Sequence, residues 1–570
     1  MFMAPQKYAQ AADSGEMQHP EQTPAANTGP MAGEEEDTAY IGFDFSTQQL
    51  KALAIDCHLK VICEASVMFD RELPEFRTHG GVNAGADGLT FTAPAIMWVK
   101  ALDMLMDKLR VAGLDFARVA ALSGAGQQHG CVLWRAGAEA TLGALEPDQF
   151  LHQQLESAFS VRNSPIWMDS STTAQCRALE QYVGGPQKLA DITGSRAYER
   201  FTGNQIAKIH QQSPEAYKNT ERISLASSFG ASLFLCKYAG IDLSDGSGMN
   251  LLDIGKHAWD QHCLDACAPG LGSRLGAPVP DAGHLLGPIG EFWAERYGFR
   301  PDCGVVAFTG DNPASLAGLR LRPGDLALSL GTSDTVFACL ERPRPALTGH
   351  VFVSPTDADK YMALLCFKNG SLTRQKYRDQ CAGGSWDTFN QLLSTAPPGN
   401  LGSIGVYWLE QEITPHGSGV HRRDASGAAV EAFDKHTEVR AVVEGQLMAK
   451  RVHAESLGFQ LGEESRVLAT GGASRNPALL QVVADVFNAP VYTHDVANSA
   501  CLGAAYLARL GRCRSAAAAA GDTDAVTFDT VTAAAEPFHL ACQPRPDAQQ
   551  VYGPLLERYR ALEAELVAEQ

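Results

Sequence analysis

The sequence predicts an α/β protein of two lobes with a central cleft, and three observations carry that prediction. The chain has 570 residues, more than one hydrophobic core usually serves, so two domains of a few hundred residues are expected, with a site between them. An apolar run at 40–44, a polar turn Phe45-Ser46-Thr47-Gln48-Gln49 and a second apolar run at 50–55 read as a β-hairpin. Residues 326–330, Gly331-Thr332-Ser333-Asp334 and 335–340 repeat that plan in the second half, as a duplicated fold would. Finally, 466–470 is an apolar strand and Gly471-Gly472-Ala473 a tight turn. Asn476-Pro477 then starts a helix with Leu479, Leu480, Val482, Val483, Val486 and Phe487 at core spacing. The expected division is a disordered tail over 1–38, a first domain over 39–320 and a second over 321–570.

The elements follow in chain order. The first 38 residues are rich in Ala, Gln, Pro and Gly, end in Glu34-Glu35-Glu36-Asp37, and have no apolar core of a secretory signal. A disordered tail fits. A transit peptide is the alternative, opposed by the acidic run and by Lys7 as the sole basic residue. A strand at 119–122 runs into the loop Ser123-Gly124-Ala125-Gly126-Gln127-Gln128-His129-Gly130, whose glycines bring Gln128 and His129 to its tip, and a second strand follows at 131–134. Two hydrogen-bonding groups there suit a polyol, and a purely structural histidine fits equally well.

Residues 167–171 open a helix through Ala174, Leu179 and Tyr182, with Asp169 or Ser170 as cap. The polar segment 194–205 carries two arginines. Arg196 is expected in an ordinary salt bridge, and Arg200, beside Phe201 and Thr202, is the candidate for a sugar.

At 308–318, Phe-Thr-Gly-Asp-Asn-Pro-Ala-Ser-Leu-Ala-Gly supports two readings. Asn312 caps a helix with Pro313 at its first position, or the Asp311 carboxylate accepts a proton from a hydroxyl while the Gly331-Thr332 loop holds the phosphoryl group it attacks. Residues 320–325 then link this helix to the second hairpin and serve as a hinge, Ala516 to Ala520 with the following Gly-Asp-Thr-Asp reads as a linker, and 552–566 returns to helical spacing. The Gly471-Gly472 turn lets backbone approach a nucleotide, or is an ordinary strand-to-helix connection.

Bulk composition excludes several classes. A net charge of −19 argues against nucleic acid or anionic membrane as the partner, since both require basic surface. ATP is still accessible through Mg²⁺, helix N-termini and backbone N–H groups. Hydrophobic content of 45% with no apolar run of membrane length describes a globular protein, and fourteen scattered cysteines without a Cys-x-x-Cys pair indicate reduced thiols in a cytoplasmic protein.

Taken together and in order, Gly42-Phe43-Asp44 with Thr47, Gln128-His129-Gly130, Gly310-Asp311-Asn312, Leu330-Gly331-Thr332-Ser333 and Thr470-Gly471-Gly472-Ala473 resemble the FGGY carbohydrate kinases, from about residue 39 to the C-terminus. The strings at 123–130, 165–176, 195–205 and 308–318 are similar to those of the eukaryotic-type D-xylulose kinases.

The resemblance implies two actin-like (ribonuclease H-like) domains, with D-xylulose and ATP as substrates meeting in the cleft. It implies that His129, Arg200, Asp311 and Asn312, with Gln128 beside them, contact the ketopentose, and that Asp311 is the base toward its C5 hydroxyl. It further implies Asp44 for Mg²⁺, Thr47 and Gly331-Thr332 at the phosphates, and Trp386, Gly471, Gly472, Ala473 and Asn476 around the nucleotide. A serine, Ser46, stands where many members carry glycine in an Asp-x-Gly-Thr-Thr hairpin. Other sugar acceptors of the family (ribulose, gluconate, glycerol) and a non-catalytic actin-like nucleotide-binding protein are the alternatives. A monomer or homodimer is expected.

Overall fold

The structure is a computed structural model that describes residues 34–280, 283–462, 464–494, 498–521 and 526–569. Its first sheet is built around Ala39–Phe45, a strand buried along its whole length because it has neighbours on both sides and cover on both faces. Gln49–Asp56 pairs with it antiparallel, and Val61–Met68 continues that meander outward. On the other side Val119–Gly126 runs parallel to it, followed by Gly304–Val306, parallel again.

The second sheet repeats the plan. Leu326–Leu330 is flanked by antiparallel Asp334–Leu340 and then Tyr361–Phe367, and on its other side by parallel Val467–Thr470 and Val491–Thr493. Two sheets with one strand order and one pattern of directions are the duplicated actin-like architecture that the paired hairpins foreshadow.

The correspondence extends to the helix that follows the parallel strands, Asp311–Gly318 in the first half and Ser499–Ala520 in the second. The two helices cross in backbone contact. A Cβ on Gly503 would strike the Ala314 carbonyl, one on Gly318 the Ser499 carbonyl, and one on Gly42 of the central strand the Cys501 carbonyl. Only glycine permits that approach.

Ser499–Ala520 therefore lies on the first sheet, where Cys501, Leu502, Ala505 and Leu510 form one buried cluster with Tyr40, Leu53, Ile55, Ala121 and Val306. Residues 319–325 connect the helix Asp311–Gly318 to the strand Leu326–Leu330, and Ser499–Ala520, which falls within the expected second domain, packs on the first sheet. Ala516 to Ala520, expected as linker, are the last turns of the same helix, and residues 522–525 lie outside the described residues.

Three further expectations are corrected. Of the tail expected over 1–38, residues 1–33 lie outside the described residues, and the Glu34 carboxylate is not part of a free tail but buried against Arg509, whose guanidinium donates to both of its oxygens at 2.9 and 2.6 Å. Residues 123–126 are strand, not loop, because Ala125 and Gly126 pair with Thr309 and Gly310, leaving only Gln127 to Gly130 as the turn. Neither Asp169 nor Ser170 caps a helix. The helix is Thr173–Val183, and buried Asp169 accepts bonds from the Phe91 amide, Ser171 and Gln205 instead.

A seam joins the lobes beside the cleft. The edge strand His350–Val353 of the second sheet meets first-lobe segments, with Val351 donating to the Gly194 carbonyl at 2.9 Å and Ser244 donating to that of Val353 at 2.6 Å.

Candidate active site

Asp311 opens its helix at the first position, with extended Gly310 as the cap residue. The expectation that Asn312 caps this helix is overturned. Gly310 is held in the short strand Thr309–Gly310, so the helix starts at Asp311 and Asn312 is already inside it. Freed from capping, Asn312 donates its backbone N–H to Asp311 Oδ1 at 2.8 Å, and its side-chain amide donates to the same oxygen at 3.1 Å and to Gln128 Oε1 at 2.9 Å. Burial, then the Asp44 carboxylate nearby, raises the Asp311 pKa to about 7, against the lowering effect of the backbone N–H groups of Asn312 and Gln128 and of Lys51.

Asp44 ends the central strand of the first sheet and is buried. Lys51, one strand over and directly opposite it in register, reaches Asp44 Oδ2 at 2.8 Å. Burial works against the Lys51 ammonium, but Asp44 more than offsets it and holds its pKa above the usual lysine range. The Ser46 hydroxyl, in the place of the family glycine, turns back to donate to Asp44 Oδ2 at 2.5 Å. Asp44 Oδ1 is buried without a hydrogen-bond partner. Thr47 accepts a bond from the Trp167 indole at 2.8 Å, which sets an exposed aromatic ring beside the turn.

Gln128 and His129 occupy the tight turn after Val119–Gly126, with His129 at φ 69°. The His129 ring stacks on Phe201 at 4.4 Å between centroids, and its Nδ1 lies 2.8 Å from the Gly248 carbonyl, which can only accept. Nδ1 therefore carries the proton and Nε2 is a bare acceptor. Burial first, then Arg200, lowers the ring's pKa to about 3, so it stays neutral. Arg200 lies 5.1 Å from the centroid of Tyr198, and its NH2 donates to His350 Nε2 of the opposite lobe at 2.7 Å. Arg196 pairs with Glu180 at 3.1 Å, as an ordinary salt bridge.

Beneath this group sits a buried carboxylate pair. Asp242 accepts from Thr309 at 2.8 Å and Asp245 accepts from Ser227 at 2.5 Å, and burial raises both pKa values, that of Asp242 to about 7.

On the second lobe, Gly331, Thr332 and Ser333 form the turn between Leu326–Leu330 and Asp334–Leu340, with the Thr332 side exposed. The turn is anchored from below. Asp334, fully buried, receives both guanidinium nitrogens of Arg374 at 2.8 and 3.0 Å and the Lys450 ammonium at 3.0 Å, and Ser371 donates its N–H to the Gly331 carbonyl at 2.8 Å.

Gly471 follows its strand at φ 82°, a conformation that favours glycine, and Gly472 has open space where a Cβ would stand. Asn476 caps Pro477–Phe487 through bonds from the amides of Ala478 and Leu479, and its amide donates to Asn390 at 2.8 Å, one turn beyond half-exposed Trp386 on the helix Trp386–Thr395. Gly471, Gly472, Ala473, Asn476 and Trp386 are thus drawn together.

Two groups thus form, one of Asp44, Gln128, Asp311 and Asn312 with His129 and Arg200 at the lobe seam, the other of the second-lobe residues. Lys51, Trp167, His350 and the Asp242/Asp245 pair are missed by motif reading. Only Lys51 had a usable signal, since the hairpin itself sets it opposite Asp44.

Residues 156–318 match the N-terminal domain and residues 326–511 the C-terminal domain of the FGGY family of carbohydrate kinases. The chain is 56% identical over 528 residues to a protein of Rattus norvegicus named xylulose kinase, covering 93% of this chain and 97% of that one. It is 48% identical over 490 residues to xylulose kinase 2 of Arabidopsis thaliana, covering 83% and 87%. Among solved structures, a xylulose kinase from Rhodospirillum rubrum superposes with a TM-score of 0.75 at 17% identity, covering 93% of this chain and 99% of that one. With both domains matched in order and close relatives spanning nearly its whole length, the chain belongs to the FGGY family of carbohydrate kinases.

Proposed function

We propose that this chain transfers the γ-phosphoryl group of ATP to the C5 hydroxyl of D-xylulose, giving D-xylulose 5-phosphate and ADP. Its near full-length likeness to proteins named xylulose kinase supports the sugar. The observation that carries the chemistry is Asp311, a carboxylate with a pKa of about 7 held on one oxygen by Asn312. A general base works best with a pKa near the operating pH. With Oδ1 so held, Oδ2 takes the C5 hydroxyl proton as the oxygen attacks phosphorus. The acceptor Nε2 of neutral His129 and the donors of Arg200 fix the sugar's other oxygens.

The Asp44 donor set fits Mg²⁺. Its Oδ1 is a buried carboxylate oxygen with no hydrogen-bond partner. No cluster of three or more acidic, His or Cys side chains that could hold a metal stands among the described residues. One carboxylate suits an ion that keeps its waters and is carried mainly by nucleotide phosphates. When bound, Mg²⁺ neutralises phosphate charge. Lys51 adds a second positive charge at the same place, the exposed turn Gly331-Thr332 borders the phosphates, and Trp386, Gly472, Ala473 and Asn476 take the adenosine. Fourteen free thiols suit a cytoplasmic enzyme.

The test is ADP release from Mg·ATP across a panel of ketopentoses, polyols and aldonates. D-Xylulose should give the highest kcat/KM. Preference for ribulose, gluconate or glycerol would reassign the sugar, and ADP release indifferent to any sugar would remove the kinase reading.

A further inference from the structure

A cavity of about 340 Å³ lies behind the lobe link, within the size range of small-molecule sites. Three guanidinium groups line it, Arg320 and Arg322 from the link itself and Arg466 from just before the strand Val467–Thr470. Arg320 and Arg466 both pack on Phe538, at 4.4 and 5.4 Å from its centroid. Arg320 is fixed by donating to the Ala535 and Glu536 carbonyls, yet its Nε is buried with no partner. An unmet buried donor is costly, so this one favours an occupant that accepts.

Three carboxylates stand near these three guanidinium groups, Asp325, Asp529 and Glu536, and they engage them unequally. Asp325 takes Arg466 through both oxygens, and Asp529 approaches Arg322 at 3.4 Å with both side chains more than half exposed, a weak pairing. Burial lowers the Arg320 pKa, and the Arg466 and Arg322 charges add to that against the opposing effect of Tyr506 and Glu536, so an anion beside the three guanidinium groups would relieve their repulsion.

The cavity is separate from the cleft. Asp325 and Arg466 precede two neighbouring strands whose far ends carry the Gly331 and Gly471 turns. Forked guanidinium groups match the oxygens of phosphate. With Arg466 held by Asp325 and only Arg320 and Arg322 loosely paired, the cavity suits a monoester, with about −1.5 to −2 charge, better than a polyphosphate. Tyr492 adds a hydroxyl-bearing side chain to the lining, suited to a polyol attached to the phosphate.

We propose that this cavity is a second binding site, for a phosphate monoester of about pentose size, and that its occupant braces the link through Arg320 and Arg322.

Calorimetric titration with ribose 5-phosphate tests it on the full chain with the cleft filled by D-xylulose and a non-hydrolysable ATP analogue. One site is expected, R322E should weaken it by at least about tenfold, and R322A should fall between. Arg322 is exposed, so both variants should fold and bind the ATP analogue as wild type does. Absence of binding up to about 10 mM, equal affinity in R322E, or inorganic phosphate or ribose binding as tightly as the ester would each overturn the proposal.

Discussion

Asp311 holds two properties that usually oppose each other, a raised pKa and a fixed orientation. Burial and Asp44 supply the first and Asn312 the second. Asp311→Asn should cost at least about two orders of magnitude in kcat, with ATP binding retained. The pH profile follows from the same group. The base must be ionised, so kcat/KM for the sugar should fall as pH drops through about 7.

Stability moves the other way. A folded-state pKa above the ordinary carboxylate value of about 4 means that folding favours the protonated form. The wild type therefore loses stability as pH rises from that value to about 7, and the loss stays complete above it. Denaturant melts of wild type and D311N across that window should diverge with rising pH, and parallel curves would contradict the assignment. Motif reading found this residue because its neighbours in sequence are its partners. His350, which meets Arg200 from 150 positions away, had no such signal.

At the scale of elements, the glycines carry two different burdens. Gly472 faces open space, so Gly472→Val should leave the melting temperature unchanged while raising KM for ATP by about tenfold or more, and an unchanged KM would move the nucleotide away from this turn. Gly503 faces the Ala314 backbone, so Gly503→Ala should destabilise by roughly 1–3 kcal/mol in urea melts, the usual cost of overpacking.

The hairpins, the nucleotide-side helix and the terminal helix were legible because their periodicity is local. The crossing helix was misread at its end as a linker, since an alanine run has no apolar stripe to announce what it packs on. The cap at Asn312 was misread because Asn-Pro suits a helix start, while the pairing of Thr309 and Gly310 with Ala125 and Gly126, made far away in sequence, set the start two residues earlier.

For the whole molecule, catalysis by positioning requires the lobes to close and exclude water. Sugar together with an ATP analogue should slow hydrogen exchange across 319–325 and the turns at 46–48 and 331–333, and unchanged exchange would argue for a rigid cleft. Glu34, ahead of the first strand, is also tied into the fold. Glu34→Ala leaves Arg509 buried without its carboxylate, a loss of about 3–5 kcal/mol when a buried pair is broken, to be read from the denaturant midpoint.

The return of Ser499–Ala520 onto the first sheet has a consequence for how the protein is made and how it melts. A ribosome releases the first half with Tyr40, Leu53 and Val306 still bare, and those side chains are covered only when a helix near the C-terminus arrives. Neither half expressed alone should be soluble. Calorimetry of the intact chain should show a single unfolding transition, even though two family domains can be drawn on its sequence.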